Sequence, residues 1–205
     1  MTLTWYGHSC FKLDSAQGSV VFDPYEPEYV PGLALPEGLS ADAVICSHAH
    51  RDHNYAAGVA LTGRRPEFTV ERMETFHDDV HGAKRGRNTV SIVTAEGMRI
   101  VHMGDLGHML SAAQCDALSG AEAVMIPVGG YYTIDARTAA DIVRAIRPRV
   151  VIPMHYRGAG FGFDVLADVE EFIALADNVR RFDTNVLTLP QDGAPMTAVL
   201  RCPVK

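Results

Sequence analysis

One segment constrains the fold more than any other. The chain reads HAHRDH over residues 48–53, so three histidines and one aspartate, all potential metal ligands, occur within six positions. An apolar run, AVICS over 43–47, comes directly before it and predicts a buried strand. If the strand continues, His48 and His50 point to the same side, because side chains alternate along an extended chain, and both imidazoles can reach one ion. A solvated polar loop is the alternative, but the density of ligands favours a metal site.

The second half of the segment predicts a second ion. A turn into a helix at 52–54 would carry Asp52 and His53 toward a neighbouring metal. Other predicted strands lead to the same residue types: 68–76 to His77-Asp78, 98–103 to Gly104-Asp105, and 149–154 to His155. Because ligands gather beyond the carboxyl ends of strands in open α/β arrangements, these strand ends are consistent with one shared site.

Short apolar or β-branched runs bounded by turn residues indicate strands from end to end. We predict strands near 3–6, 10–14, 19–23, 43–47, 68–73, 89–94, 98–103, 123–128, 149–154 and 186–190. We predict helices over 135–146 with Asp135 as its cap, over 164–176, and from weaker patterns over 54–62 and 109–119. The Ala95-Glu96-Gly97 connection predicts a hairpin. Strands and helices are mixed throughout without a linker, which predicts one α/β domain over 1–205.

Composition argues against several classes of protein. The 18 basic and 25 acidic residues leave a net charge of −7, so no nucleic-acid partner is expected, since phosphate binding needs clustered basic residues. No stretch approaches the roughly 18 apolar residues that a membrane span needs, and the first residues lack a signal-peptide pattern. The four cysteines are scattered and form no CxxC pair, which indicates reduced thiols. We therefore expect a cytoplasmic protein without a membrane partner.

The order of the potential ligands resembles that of the metallo-β-lactamase superfamily of binuclear metal hydrolases: HxHxDH, a later His, a Gly-Asp pair and a last His. Further blocks resemble the short branch of the superfamily that includes ascorbate-6-phosphate lactonase-like proteins, and the match covers nearly the whole chain. These blocks are WYGHSCF at 5–11, FDP at 22–24, SHAH at 47–50, KRGRN at 84–88, HMGDLG at 102–107, PVGGY at 127–131 and PMHY at 153–156. HxHxDH is specific for the superfamily, whereas the other blocks are specific for the branch and not for a reaction.

The resemblance implies a four-layer αββα sandwich with the metals at one edge. It implies two ligand sets and a bridge: His48, His50 and His77 for one ion, Asp52, His53 and His155 for the other, and Asp105 between them. The segment that follows His53 is short, so His81 competes with His77 as the third histidine of the first ion. We favour His77, because it directly follows a strand-like run and precedes Asp78.

The predicted function follows from the chemistry of a two-metal site. Two divalent ions about 3.5–4 Å apart lower the pKa of a shared water and supply hydroxide, so no serine or cysteine nucleophile is needed. We predict a metal-dependent hydrolase of a small ester, lactone or phosphoester, with Asp52 and Asp105 as catalytic residues. Zinc is the first choice of metal, and manganese and iron are alternatives. The alternative functions are a phosphodiesterase acting on RNA or a cyclic nucleotide, and a metal-binding module without turnover.

Four residues are candidate substrate contacts: His8, Arg85, Tyr131 and Arg157. Each has a structural alternative, since His8 could cap backbone or support a ligand, the glycines before Tyr131 could form a plain turn, and the arginines could be solvated. Arg85 and Arg157 would suit an anionic small-molecule substrate, either phosphorylated or carboxylated. The oligomeric state is not predicted.

Overall fold

The computed structural model describes residues 1–190 and 193–204. Its strands, in chain order, are β1 Thr2–Trp5, β2 Phe11–Ser15, β3 Gly18–Phe22, β4 Ser40–Ala41, β5 Ala43–Ile45, β6 Ala60–Leu61, β7 Thr69–Phe76, β8 Arg87–Ala95, β9 Met98–His102, β10 Ala123–Pro127, β11 Val150–Met154, β12 Val179–Arg181, β13 Val186–Thr188 and β14 Met196–Val199. Its helices are α1 Ala112–Leu118, α2 Ala136–Ile146 and α3 Glu170–Ile173, and a 3-10 turn covers Ala56–Gly58.

Two sheets form the body of the fold. The first has five strands in the order β13-β1-β2-β3-β5, antiparallel except where β3 and β5 pair in parallel. The second has seven strands in the order β12-β14-β11-β10-β9-β8-β7, parallel from β12 to β9 and antiparallel from β9 to β7. Parallel neighbours need long crossovers, and α1 and α2 supply them between β9 and β10 and between β10 and β11.

The core lies between the two sheets. Buried positions alternate with half-buried ones along β1, where Leu3 and Trp5 face inward, as in a strand with one face on the core. Every residue of β10 and β11 is buried, as expected of parallel strands that are covered on both faces. The rings of Phe22 in the first sheet and His102 in the second stack with centroids 5.0 Å apart, and this contact joins the sheets.

The two outer layers of the sandwich differ. Helices cover the seven-stranded sheet, and α2 begins where predicted, since the Asp135 carboxylate accepts a hydrogen bond from Thr138 N. Over the five-stranded sheet the outer layer is the loop 24–39, whose Tyr25 and Leu33 share an apolar cluster with Val21 of β3. The predicted mixed α/β sandwich is confirmed, with a loop in place of one helical layer.

Two predicted helices are wrong over most of their length. Within 164–176 only α3 is helical, because the residues before it pair with a distant segment: Arg157 N donates to Ala167 O, and Arg157 and Asp168 form a parallel bridge. Within 54–62 the 3-10 turn is followed by β6, which pairs with β4. The other two helices are confirmed as α1 and α2. Of the helices in the described ranges, none is long and apolar enough to cross a membrane.

The sequence predictions for the strands are mostly confirmed. The hairpin forms between β8 and β9, and its turn is one residue shorter than predicted, because Ala95 pairs with Met98. Glu96 and Gly97 both have positive φ, +51° and +75°, as a two-residue turn of this kind requires. The prediction missed β12, β14 and the short pair β4 and β6. β14 is buried at all four positions, too short a run to show a period.

Candidate metal centre

The chain places its potential ligands where strands of both sheets end. β7 ends directly before His77, β11 ends directly before His155, and Asp105 follows β9 by three residues. The fourth ligand-bearing segment is HAHRDH, which follows β5 of the first sheet. The ligand-bearing strand ends therefore come together in the fold, as predicted.

The HAHRDH segment is a loop, and this corrects two expectations about it. β5 ends at Ile45, so the strand does not extend to 47, and no helix forms at 52–54. Instead the loop turns back on itself, and His53 N donates to His50 O at 3.0 Å. The rings of His48 and His50 lie together, with centroids 4.6 Å apart, in the bent stretch 47–50 that precedes this turn and not along an extended strand.

A first cluster contains three histidines. His48, His50 and His77 each offer one nitrogen, and these nitrogens lie within 4.8 Å of one another. The ring of His77 lies 4.7 Å from that of His48 and 5.2 Å from that of His50. His81 packs its ring against Phe76 at 5.4 Å and belongs to none of the ligand clusters in the described ranges. The geometry therefore favours His77 over His81.

A second cluster contains Asp52, His53, His155 and His8, again with donor atoms within 4.8 Å of one another. Asp52 Oδ2 lies 3.2 Å from His8 Nε2 and 3.5 Å from His53 Nε2. His8 has a φ of +50°, and its carbonyl accepts hydrogen bonds from Trp5 Nε1 and from His155 N. Its side chain is 0% exposed, so His8 is an enclosed member of the cluster and does not lie on a wall that a substrate could touch.

Asp105 lies between the two clusters. Its Oδ2 is 3.2 Å from Nε2 of His77 in the first cluster, and 3.2 Å from Nε2 of both His53 and His155 in the second. The same oxygen is 4.0 Å from His48 Nε2. One carboxylate oxygen thus faces nitrogens from both sides.

Many of these atoms are buried without a hydrogen-bond partner. They include His48 Nε2, His53 Nε2, His77 Nδ1, Asp105 Oδ1 and both ring nitrogens of His155. An unpartnered buried polar atom costs about 1–3 kcal/mol, so such a concentration needs an explanation. Imidazole nitrogens and carboxylate oxygens are donors that zinc, manganese and iron accept. The donor set and its unpartnered atoms therefore fit divalent metal ions.

Asp23, a residue that the sequence prediction missed, supports one histidine of each cluster. Its carboxylate accepts hydrogen bonds from His53 Nδ1 at 2.7 Å and from Ser47 N and Oγ at 2.7 and 2.6 Å. Ser47 Oγ in turn lies 2.9 Å from His48 Nδ1. These contacts leave the Nε2 atoms of His48 and His53 for a metal, the usual arrangement around histidine ligands. The only sequence signal was the FDP block at 22–24, which does not indicate a role.

Asn88 supports Asp105 in the same way. Its Nδ2 donates to Thr75 Oγ1 and to Met103 O, both at 2.9 Å, and its Oδ1 accepts a hydrogen bond from Asp105 N at 2.9 Å. Asn88 is fully buried and joins β7, β8 and the segment after β9. It belongs to the KRGRN block but was not predicted as a site residue.

The pKa shifts in the site follow from burial and from close charges. Burial lowers the pKa of His8 to about 4 and that of His48 to about 3. Burial also opposes charge on His53, but the carboxylates of Asp105 and Asp23 raise the pKa of His53 above its usual value. For Asp105, burial is outweighed by His155 and His53, which lower its pKa. Neutral imidazole and ionised carboxylate are the metal-binding forms, so a proton on His53 would compete with a metal.

An open pocket of about 430 Å³ leads to the clusters. Its floor holds His50, Asp52, His77 and Asp105, and its walls are Tyr29, Ala49, Arg51, Arg85, Tyr132 and Phe163. This volume suits a small molecule. Tyr29, Phe163 and Arg51 were not predicted from the sequence, because they come from three separate loops.

The candidate substrate contacts are placed differently from one another. Arg85 lines the pocket. Tyr131 is 65% exposed, and its neighbour Tyr132 occupies the wall instead. Arg157 is not among the residues that line the pocket, because its Nε donates to Leu166 O at 2.6 Å and fixes the backbone there. The site therefore brings Arg85 to the pocket and leaves His8, Tyr131 and Arg157 off its walls.

Comparison with known proteins shows the family of the chain. A family model described as "Beta-lactamase superfamily domain" matches residues 2–155. A UPF0173 metal-dependent hydrolase of Thermoplasma acidophilum is 28% identical over 214 aligned positions, 89% of this chain and 93% of that protein. The resemblance to ascorbate-6-phosphate lactonase-like proteins stays a prediction.

Solved structures share the fold. A candidate Zn-dependent hydrolase of the metallo-β-lactamase superfamily from Thermotoga maritima is 31% identical, with a TM-score of 0.74 over 98% of this chain and 99% of that chain. A metallo hydrolase of Ignicoccus hospitalis, 19% identical, has a TM-score of 0.67 over 100% and 96% of the two chains and supports the fold alone. The chain belongs to the metallo-β-lactamase superfamily, among relatives named metal-dependent hydrolases.

Proposed function

We propose that the protein is a hydrolase in which two divalent ions, one at each cluster, act on a small ester, lactone or phosphoester. The observation that carries the proposal is the position of Asp105 Oδ2, 3.2 Å from nitrogens of His77 in one cluster and of His53 and His155 in the other. A carboxylate shared in this way is suited to bridging two ions. The hydrolase names of the relatives support the reaction class.

The proposed ligand sets follow the clusters: His48, His50 and His77 for one ion, and Asp52, His53 and His155 for the other. His8 donates a hydrogen bond from Nε2 to Asp52 Oδ2 and holds that carboxylate in place. Zinc is the metal we favour, with manganese and iron as alternatives, because mixed imidazole and carboxylate donors suit all three.

Asp52 and Asp105 have different proposed roles in the reaction. When bound, two divalent ions lower the pKa of a water and polarise a carbonyl or phosphoryl oxygen. Asp52 lines the pocket with a side chain that is 15% exposed, so its carboxylate can orient a water and accept its proton. Asp105, 2% exposed, fixes the spacing of the two clusters. Among the described residues that line the pocket there is no serine or cysteine, so a nucleophile of that kind has no place there.

We also propose that the chain works as one domain over 1–205 in the cytoplasm. One apolar cluster includes Leu3 and Phe22 of the first sheet together with Val124 and Ile152 of the second, which supports a single folding unit. All four cysteines are free, as expected in a reducing compartment.

The test is metal content, measured by mass spectrometry on tag-free wild type and on Asp105→Ala. We expect about two equivalents of metal in wild type and a clear loss in the variant, together with loss of turnover of generic esters or bis(p-nitrophenyl) phosphate. Asp116→Ala is the matched control, because Asp116 is exposed on α1 and belongs to none of the ligand clusters among the described residues.

Two results would contradict the proposal. One is a wild-type protein that binds no metal even after incubation with zinc or manganese. The other is full activity after a chelator has removed all metal from the protein.

A further inference from the structure

We propose that the substrate carries an anionic group, a carboxylate or a phosphate monoester, apart from the bond that is broken, and that Arg85 binds this group at the wall of the pocket. The inference rests on the proposed function, since it concerns the same site. It names the substrate class: a small anionic ester with an apolar body.

Of the three cations in the KRGR run, Arg85 alone is directed at the pocket. Lys84 is exposed and its Nζ binds Asp79 Oδ1 at 3.0 Å, while Arg87 is exposed and lies 4.0 Å from Glu74. Arg85 is half-buried, and its guanidinium lies over the ring of Tyr132, 5.5 Å from the centroid. Within the described ranges no carboxylate lies within 4.0 Å of the Arg85 guanidinium.

The second arginine of the pocket is already neutralised. Arg51 binds Glu26 Oε2 through Nε at 2.7 Å and through a terminal nitrogen at 2.6 Å, and its side chain is 64% exposed. It also lies over the ring of Tyr29, 4.6 Å from the centroid. Arg85 is therefore the pocket cation whose charge is available to a ligand, and a planar guanidinium is suited to carboxylate and phosphate oxygens.

Hydrogen bonds hold the loop that carries Arg85 in place beside His77, a proposed metal ligand. The Asp78 carboxylate, next to His77, accepts hydrogen bonds from the backbone N–H groups of Val80, Gly82, Lys84 and Arg85 at 2.8–2.9 Å. His77 N donates to Gly86 O at 3.0 Å and closes the base of the loop. The backbone position of Arg85 relative to the clusters is thus fixed before a substrate arrives, which lowers the entropic cost of binding.

The rest of the wall indicates an apolar body between the anion and the reacting bond. Phe163 contacts Tyr29 and Tyr132 edge to face, with ring centroids 6.0 and 6.1 Å away. Three aromatic rings in a pocket of about 430 Å³ favour a flat or hydrocarbon group.

The test uses three acetate esters that share the bond to be broken: p-tolyl acetate, 4-acetoxybenzoate and 4-acetoxyphenyl phosphate. The first is neutral, and the other two separate carboxylate from phosphate. Wild type is compared with Arg85→Gln and Arg85→Lys, and Lys84→Gln and Arg87→Gln are the matched controls. We expect Arg85→Gln to lower kcat/KM about 10-fold to 100-fold for at least one charged ester, mainly through KM, as loss of a charge-assisted hydrogen bond predicts.

The neutral ester and the other variants should respond differently from the charged esters and Arg85→Gln. The neutral ester should change less than about twofold, Arg85→Lys should retain part of the preference, and the controls should behave as wild type. Equal effects of Arg85→Gln on all three esters, or no wild-type preference for a charged ester, would overturn it.

A binding measurement separates this inference from the proposed function. Calorimetric titration of metal-loaded wild type and Arg85→Gln with benzoate, phenyl phosphate and neutral p-cresol needs no turnover. If no acetate ester is hydrolysed but the anions bind, and bind at least about 10-fold more weakly to Arg85→Gln, the anion subsite stands and acetate-ester hydrolysis is ruled out as the reaction. Equal anion affinity in both proteins would refute the subsite.

Discussion

Replacing Asp23 by Asn should lower both the stability of the protein and the metal affinity of both clusters, although Asp23 is in neither of them. The Asp23 carboxylate is buried and accepts three hydrogen bonds, one from His53 Nδ1 and two from Ser47. An amide keeps the shape but turns an N–H₂ group toward groups that also donate, so at least one charge-assisted hydrogen bond is lost and one donor stays buried without an acceptor. Each such loss costs about 1.5–3 kcal/mol.

This cost predicts a measurable thermal effect. For a chain of this size about 1 kcal/mol corresponds to about 2–4 °C in Tm, so a loss of about 2–3 kcal/mol lowers the Tm of metal-free Asp23→Asn by about 4–12 °C in calorimetry. Metal affinity, measured by competition with a chromogenic chelator, should fall about 10-fold to 100-fold, because the orientation of His48 and His53 is no longer enforced.

Two further variants serve as a control and as an intermediate case. Asp14→Asn makes the same chemical change on β2, where the side chain is 45% exposed and pairs with Lys12, and should shift Tm by less than about 2 °C. Ser47→Ala removes the hydroxyl donor but keeps the backbone N–H at position 47 and the Asp23 carboxylate, so its Tm and metal affinity should fall between those of wild type and Asp23→Asn. An Asp23→Asn protein with wild-type Tm and wild-type metal affinity would refute the claim that Asp23 orients the histidines.

Two other predictions test the supports of the site and the fold. Asp135→Ala removes the cap of α2 and should cost about 1 kcal/mol, seen as a Tm lower by about 2–4 °C with metal content unchanged, since in the described part of the chain no residue of α2 belongs to a ligand cluster. A loss of metal in this variant would contradict the prediction. Gly107→Ala should lower both Tm and metal content, because a Cβ would clash with the backbone nitrogen of Asp78 and displace the segment that carries Asp105. Gly120→Ala, whose Cβ meets nothing within 4 Å, is its control and should leave metal content unchanged.

The wrong helix prediction over 164–176 shows that tertiary contacts can override the backbone conformation that an amphipathic pattern predicts. Its apolar residues do recur at helical spacing, and Phe172 is buried as expected. However, Arg157 uses its backbone N–H on Ala167 O and its side chain on Leu166 O, and these contacts hold the chain just before α3 in a non-helical path. Neither contact can be foreseen from the amphipathic pattern, because Arg157 lies outside the window.

The residues that line the pocket wall could not be predicted from local sequence patterns either. Arg85 and Arg157 look alike as sequence signals, since each is an arginine that follows a ligand-bearing strand end, Arg85 eight positions after His77 and Arg157 two positions after His155. In the structure one faces the pocket and the other binds a backbone carbonyl. Tyr131 and Tyr132 differ in the same way, because a φ of +56° at Tyr131 turns consecutive side chains to different surroundings.

The sequence alone determined the ligand types, their order and their placement after strands, because metal chemistry needs imidazole and carboxylate groups, and strand ends can be recognised from short apolar runs. It also determined the hairpin and the cap of α2, which depend on neighbouring residues. Only the tertiary structure decided that Asp105 lies between the two clusters, that Asp23 supports His53 from 30 positions away, and that Arg85 is the unneutralised cation of the pocket. Each of these is a contact between distant segments, and its geometry is set by how the two sheets pack and not by any local pattern.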